Sequence, residues 1–116
     1  MYDIPILFVI FKRKEVTLRS LAQIRKARPT KLYIAGDGPR AEVAGEADMV
    51  EATRKAVIEA IDWECDVHTN FQTCNLGCGH GVYTAINWLF ANEKRGIIIE
   101  DDCVMRDSFF PFVKEL

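Results

Sequence analysis

The chain has 116 residues, of which 49% are hydrophobic and 28% charged, and its net charge is −2. This length and balance fit one globular domain or part of one, and the negative charge gives no basic face for nucleic acid. No apolar run approaches the roughly 20 residues of a membrane span. Residues 1–3 lack the basic segment that begins a signal peptide. We therefore expect a cytoplasmic protein without a nucleic-acid partner.

The first half of the chain predicts two strands, each followed by a helix. Ile4–Phe11 is an almost unbroken apolar run, which is typical of a strand covered on both faces. Val16–Arg28 follows as a helix, and Lys31–Ala35 is a second, shorter strand. A loop of glycine and proline over 36–39 leads to a helix at Glu46–Ile61. The apolar residues assigned to the core faces of these helices are Leu18, Leu21, Ala22, Val50, Val57, Ile58 and Ile61.

The second half of the chain continues this alternation. Cys65–Phe71 predicts a third strand, and Gln72–Gly81 predicts a loop that contains three glycines. Apolar residues at helical spacing from Val82 to Phe90 indicate the clearest helix of the chain. Gly96–Ile99 is a fourth strand, and Phe109–Leu116 begins another helix.

Strands that alternate with helices predict an α/β fold, with a mostly parallel, doubly wound sheet and helices on both faces. Ligands of such sheets bind outside the carboxyl ends of the strands. We therefore expect a site at that edge, where charged residues follow the first, second and fourth strands. These residues are Lys12, Arg13, Asp37, Glu100, Asp101 and Asp102.

The consecutive carboxylates Glu100, Asp101 and Asp102 directly follow an apolar strand. Like charges so close repel each other, so that either their pKa values rise or a cation binds. Mg²⁺ or Mn²⁺ suits carboxylate oxygens that are completed by phosphate oxygens and water. The alternative is a solvated turn that caps the next helix, but Asp107 is better placed for capping. The run therefore favours a site for Mn²⁺ or Mg²⁺.

The four cysteines, Cys65, Cys74, Cys78 and Cys103, allow two interpretations. Cys74 and Cys78 with the nearby His80 could hold zinc, although structural zinc sites prefer paired CxxC-type spacing. We favour reduced, mostly buried thiols, because nothing marks the chain as secreted.

Four motifs appear in the order in which one known family has them. They are an apolar strand ending in Lys-Arg, a strand followed by Gly-Asp-Gly, an Asn-Leu-Gly loop into a helix, and a hydrophobic strand ending in Glu-Asp-Asp. Together they resemble the GT-A fold glycosyltransferases, among these the family 2-like and N-acetylglucosaminyltransferase I-like groups. The resemblance covers nearly the whole chain. It implies a hexosyltransferase that binds a nucleotide-diphosphate sugar, with a UDP-sugar favoured, through a metal held by a DxD-type motif.

The resemblance implies a role for each charged residue at the strand ends. Glu100 and Asp101 match residues that touch the ribose and the donor sugar, and Asp102 matches the direct metal ligand.

Three further positions match residues that contact the nucleotide. Arg13 matches a basic residue against the donor, Asp37 an acid that hydrogen-bonds the uracil ring, and His80 a histidine beside the base. Each of these residues has a structural alternative. Arg13 is then one member of a solvated basic cluster, Asp37 is a turn residue in Gly-Asp-Gly, and His80 is a residue at the start of a helix.

Members of this family continue for at least as many residues again, and that second half carries the acceptor site and usually the catalytic base. The resemblance thus implies that residues 1–116 are the N-terminal nucleotide-binding half and transfer no sugar by themselves. The segment Phe109–Leu116 predicts an apolar face that packs beneath the second half or mediates self-association. The residues of that face are Phe109, Phe112, Val113 and Leu116.

Three other classes of protein share some of these sequence features. A non-catalytic nucleotide- or metal-binding module, or an interaction module, derived from a GT-A domain would keep the same motifs. The segment Ile34–Pro39 also resembles the GDGP loop of GT-B glycosyltransferases, but the acidic strand end has no place there. A receiver-like phosphorylation domain has its acidic pair after the first strand, where this chain has Lys12 and Arg13.

Overall fold

The computed structural model describes residues 2–103 and 108–115. Its strands are β1 (Ile6–Ile10), β2 (Lys31–Gly36), β3 (Asp66–Phe71) and β4 (Ile97–Glu100). Its helices are α1 (Lys14–Ala27), α2 (Glu46–Ala60), α3 (Cys78–Asn92) and α4 (Phe109–Glu115). The predicted α/β class is confirmed. In this part of the chain, none of the helices is long and apolar enough to cross a membrane.

The four strands form one sheet in the order β3-β2-β1-β4, and every neighbouring pair is parallel. The chain runs outward from β1 to β3 and then crosses back to place β4 on the other side of β1. Consequently the connection that follows β1 and the connection that precedes β4 lie on opposite faces of the sheet. The carboxyl ends of β1 and β4 therefore flank a topological switch point, where open α/β sheets leave a crevice.

Helices cover both faces of the sheet, which explains why β1 is an unbroken apolar run. Alternate β1 side chains point to opposite faces: Phe8 packs in the core beneath α1 and α2, whereas Leu7 packs against α3. Both side chains are fully buried. β4 lies at the edge of the sheet, so that Ile98, on its α3 side, remains 39% exposed.

Some helix positions differ from the predicted core faces. Ala22 is exposed, as are Ile58 and Phe90, at 41% and 47%. On α1 the buried face instead contains Thr17 and Ser20, whose hydroxyl groups bond to backbone carbonyls. A pattern of apolar residues alone cannot predict a helix face that is partly built from small polar side chains.

The glycine-rich loop is shorter than predicted, because α3 begins at Cys78 rather than near Val82. Gly77 precedes the helix with φ +90°, a conformation that favours glycine. Gly79 and Gly81 then lie in the first turn. The prediction that the loop reaches Gly81 is therefore wrong, because the chain is helical from Cys78 onwards.

The terminal helix α4 packs against the rest of the chain through Phe110, a residue outside the predicted stripe. Phe110 is 5% exposed and packs edge-on against Tyr2, with ring centroids 5.3 Å apart. Phe109 and Val113 are partly buried beside it, whereas Phe112 is 61% exposed within the chain. Residue 107, the predicted cap, and residue 116, the last position of the predicted stripe, lie outside the described residues. Self-association through this segment stays a prediction.

Candidate functional site

A cavity of about 480 Å³ opens at the carboxyl ends of the strands, beside the first turn of α3. Its volume lies in the range of pockets that hold small molecules and cofactors, roughly 300–1,000 Å³. The predicted site residues in its lining are Arg13, Asp37, Glu100, Asp101 and Asp102. His80 is exposed on the first turn of α3 and is not part of this lining. The structure thus brings five of the six predicted site residues to one cavity.

The acidic run forms a tight turn that is held from beneath by α1. The amide of Cys103 donates to the carbonyl of Glu100 at 3.1 Å, which closes the turn. The buried hydroxyl of Ser20 lies 2.7 Å from the carbonyl oxygen of Asp101 and 2.6 Å from that of Cys103. Ser20 therefore positions the acidic turn. The only sequence signal for this role is a small polar residue among the apolar positions of α1.

The acidic turn faces a guanidinium group from the end of β1. Nη2 of Arg13 lies 3.9 Å from Oδ1 of Asp101 and 3.9 Å from Oδ2 of Asp102. The Asp101 side chain is 15% exposed, and that of Asp102 is 60% exposed. Burial raises the pKa of Asp101, Arg13 opposes this rise, and the charges of Asp102 and Glu100 add to it. Among the residues that the structure describes, the exposed Arg13 is the cation that faces this concentration of negative charge.

Three metal-ligand side chains do not converge anywhere within residues 2–103 and 108–115. However, Mg²⁺ commonly binds proteins through one or two carboxylates and completes its shell with phosphate oxygens and water. Asp101 and Asp102 flank one cationic group, which marks the space between them as favourable for positive charge. The carboxylates of Asp101 and Asp102 fit Mg²⁺ or Mn²⁺ if phosphate oxygens and water supply the remaining ligands.

The carboxylate of Asp37 holds the loop between β3 and α3. Its Oδ1 accepts hydrogen bonds from the amides of Gly38, at 2.8 Å, and Leu76, at 2.7 Å. Its Oδ2 accepts from the amide of Gly77, at 3.1 Å, and from the side chain of Asn75, at 3.2 Å. A carboxylate has about four acceptor positions, so three donors of the loop and the amide of Gly38 occupy them all. This favours the structural alternative for Asp37, and its contact with a base stays a prediction.

We expect Asp37→Asn to lower the free energy of unfolding by about 1–3 kcal/mol, because its new amide group would face N–H donors. Urea denaturation measures this change. Asp48→Asn, at an exposed carboxylate in the first turn of α2, is the matched control and should lower stability by no more than about 1 kcal/mol, since its charge interacts with the helix N-terminus. Equal stability of Asp37→Asn and wild type would show that these four bonds do not hold the loop. Discrimination between UDP and GDP by the same variant tests the base contact.

Arg54 of α2 joins the ends of β2 and β3. Its Nη2 donates to the carbonyl oxygen of Asp37 at 3.0 Å and to that of Gln72 at 2.9 Å. The guanidinium group lies 4.7 Å from the centre of the Phe71 ring, and burial lowers the pKa of Arg54. The floor of the cavity at these two strands is therefore fixed by a partly buried cation rather than by sheet hydrogen bonds alone.

The cysteines are free thiols, and the expectation that most are buried is wrong. Cys74, Cys78 and Cys103 are exposed, and Cys65 is half-buried. Cys74 lies in the loop before α3, and Cys78, in the first turn of that helix, lines the cavity. Within the described residues, Cys74, Cys78 and His80 do not form a metal-binding group.

No protein-family model, curated protein or solved structure matches the chain. Its function is therefore inferred from the fold and from the chemistry of the cavity.

Proposed function

We propose that the cavity binds a nucleotide-diphosphate sugar, and that the chain is the nucleotide-binding half of a metal-dependent glycosyltransferase of the GT-A type. The observation that carries this proposal is the acidic turn, Glu100 to Asp102, at the switch point of a parallel sheet. Ligands of such folds bind at this point. A carboxylate-rich turn repels a bare diphosphate, so a diphosphate at this place requires a cation between them.

Asp102 is the residue proposed to hold the ion, since its side chain is the most accessible of the pair that faces Arg13. Asp101 lies behind it, less exposed, and adds negative charge to the same space. A divalent ion bound there would neutralise the charge that develops on the diphosphate leaving group. Ser20 keeps the backbone of the turn in place, so that the main chain of the turn does not have to be ordered when the ligand binds.

Arg13 and Glu100 complete the proposed contacts with the donor. The Arg13 side chain is 56% exposed and reaches the acidic turn only at 3.9 Å, so it is free to turn towards a phosphate. Glu100 ends β4 on the same side of the strand as Ile98, which is the α3 side. From this position it lines the cavity where the ribose or the donor sugar would lie.

A non-catalytic binding module derived from a GT-A domain is the second candidate, since it would use the same cavity and the same acidic turn. Both candidates predict nucleotide binding. Slow hydrolysis of a bound donor would favour the glycosyltransferase half, since residues 1–116 alone are not expected to transfer sugar.

We expect UDP to bind at least about tenfold more tightly with Mn²⁺ than with a chelator, because the ion offsets the repulsion between the diphosphate and the acidic turn. Titration calorimetry in the two buffers measures the difference. UMP, which lacks the second phosphate, serves as the control and should show a smaller dependence on the ion. Equal affinity for UDP in both buffers would contradict the metal role, and no binding in either would contradict the proposed function.

A further inference from the structure

A second group of charges lies in the wall of the same cavity, away from the acidic turn. Glu46, the first residue of α2, has a side chain with no exposed surface. Its Oε1 accepts from Nζ of Lys12 at 2.8 Å and from Nη2 of Arg40 at 2.6 Å. Its Oε2 accepts from Nε of Arg40 at 3.0 Å and from the Arg40 amide at 2.7 Å. One buried carboxylate thus fixes two cations that come from different loops.

The two cations are oriented towards the cavity rather than enclosed with Glu46. Both Lys12 and Arg40 line the cavity, with side chains 28% and 43% exposed, whereas Glu46 is not part of its lining. An ammonium group has three N–H donors and a guanidinium group five. The bonds to Glu46 use one donor of Lys12 and two of Arg40. Each cation therefore keeps donors for a further anion.

The charges of this group do not cancel. Hydrogen bonds from Arg40, and then from Lys12, hold the pKa of Glu46 well below its ordinary value, so the carboxylate stays ionised at neutral pH. Two cations around one anion leave a net positive charge on the hydrogen-bonded group, while exposed Glu42, which does not line the cavity, is a further negative charge near Arg40. The cavity therefore has a negative side at the acidic turn and a positive side at Lys12 and Arg40.

We propose that Lys12 and Arg40, fixed by buried Glu46, form a phosphate-binding subsite of the cavity. Arginine and lysine are the usual partners of phosphate oxygens, and arginine adds a planar pair of donors. Preorganisation by Glu46 lowers the entropy cost of ordering two long side chains when the anion binds. The assignment of the phosphate to a nucleoside diphosphate rests on the proposed function, but the subsite itself does not.

The first test uses the unaltered protein and inorganic pyrophosphate in the presence of a chelator. Nitrogen–proton NMR signals of arginine Nε report on Arg40 and, in the same spectrum, on Arg25. Arg25 is the matched control, since its Nε is also held by a carboxylate, Oδ1 of Asp62 at 2.7 Å, and it does not line the cavity. We expect a saturable shift of the Arg40 signal and none of the Arg25 signal. An unmoved Arg40 signal, or equal shifts of both, would overturn the subsite.

The second test compares Arg40→Gln with Arg25→Gln by calorimetry with UDP and Mn²⁺. Loss of charge-assisted hydrogen bonds should weaken UDP binding by about tenfold or more in Arg40→Gln, with no change in Arg25→Gln. Uridine, which has no phosphate, should bind equally to both variants. Unchanged UDP affinity in folded Arg40→Gln would contradict the subsite and leave the proposed function intact. A pyrophosphate shift at Arg40 without any UDP binding would support the subsite and contradict the proposed function.

Discussion

Replacing Asp102 by asparagine is expected to weaken metal-dependent UDP binding by roughly a hundredfold or more while leaving the protein folded. Loss of residues that merely support metal ligands costs about 10–100-fold in affinity, so loss of a direct ligand should reach at least the upper end. The Asp102 side chain is 60% exposed and its ion pair with Arg13 spans 3.9 Å. Exposed pairs of this kind contribute about 0–1 kcal/mol to stability. The variant should therefore separate binding from folding.

The stability of Asp102→Asn without metal gives the opposing test. Removal of one carboxylate relieves repulsion with Asp101 and Glu100, so the midpoint of thermal unfolding should stay constant or rise slightly. Asp48→Asn, which makes the same charge change on α2 outside the cavity, is the control for both measurements. A large loss of stability in Asp102→Asn with unchanged UDP affinity would mean that the turn has a structural role only.

Gly38→Ala is expected to lower the free energy of unfolding by about 3 kcal/mol. A Cβ atom at Gly38 would lie 2.6–2.7 Å from the backbone C, O and N atoms of Cys74. Backbone atoms cannot rotate away as a side chain does, so the loop before α3 would have to move. Overpacking of this kind costs about 1–3 kcal/mol and occasionally more. The same movement would pull the loop away from Asp37.

Gly79→Ala is the matched control for this prediction. A Cβ atom at Gly79 meets nothing within 4 Å, and the residue lies in the first turn of α3. Alanine in a helix is favoured over glycine by about 0.5–1 kcal/mol, so this variant should be neutral or more stable. Urea denaturation of the two variants gives the comparison. Similar stability changes in both would show that the close approach of Gly38 and Cys74 is not rigid.

The sequence predicts the sheet well because its signals are local. Ile4–Phe11 had to be a strand covered on both faces, and the alternation of strands and helices left a parallel, doubly wound sheet as the expected topology. The gathering of Arg13, Asp37 and the acidic turn at one edge follows from that topology, because parallel strands end on the same side. These features require no knowledge of which side chains touch.

The contacts that hold the cavity together join residues far apart in the chain, and no local sequence pattern predicts them. Ser20 bonds to the backbone of Asp101, 81 positions later, and Lys12 bonds to Glu46, 34 positions later. A serine in α1 and a glutamate at the start of α2 look like ordinary surface residues until the helices pack. The structural role of Asp37 is hidden for the same reason, because its donors lie in a loop 38–40 positions away.

In the proposed site, a divalent ion joins a nucleoside diphosphate to the acidic turn. Mn²⁺ is paramagnetic and broadens the NMR signals of nuclei close to it, so it reports its own position. In the presence of UDP, a small amount of Mn²⁺ should selectively broaden the backbone amide signals of Asp101, Asp102 and Arg13. Asp102→Asn should lose this broadening. Broadening centred elsewhere in the UDP-bound protein, or unchanged in Asp102→Asn, would contradict the proposed site.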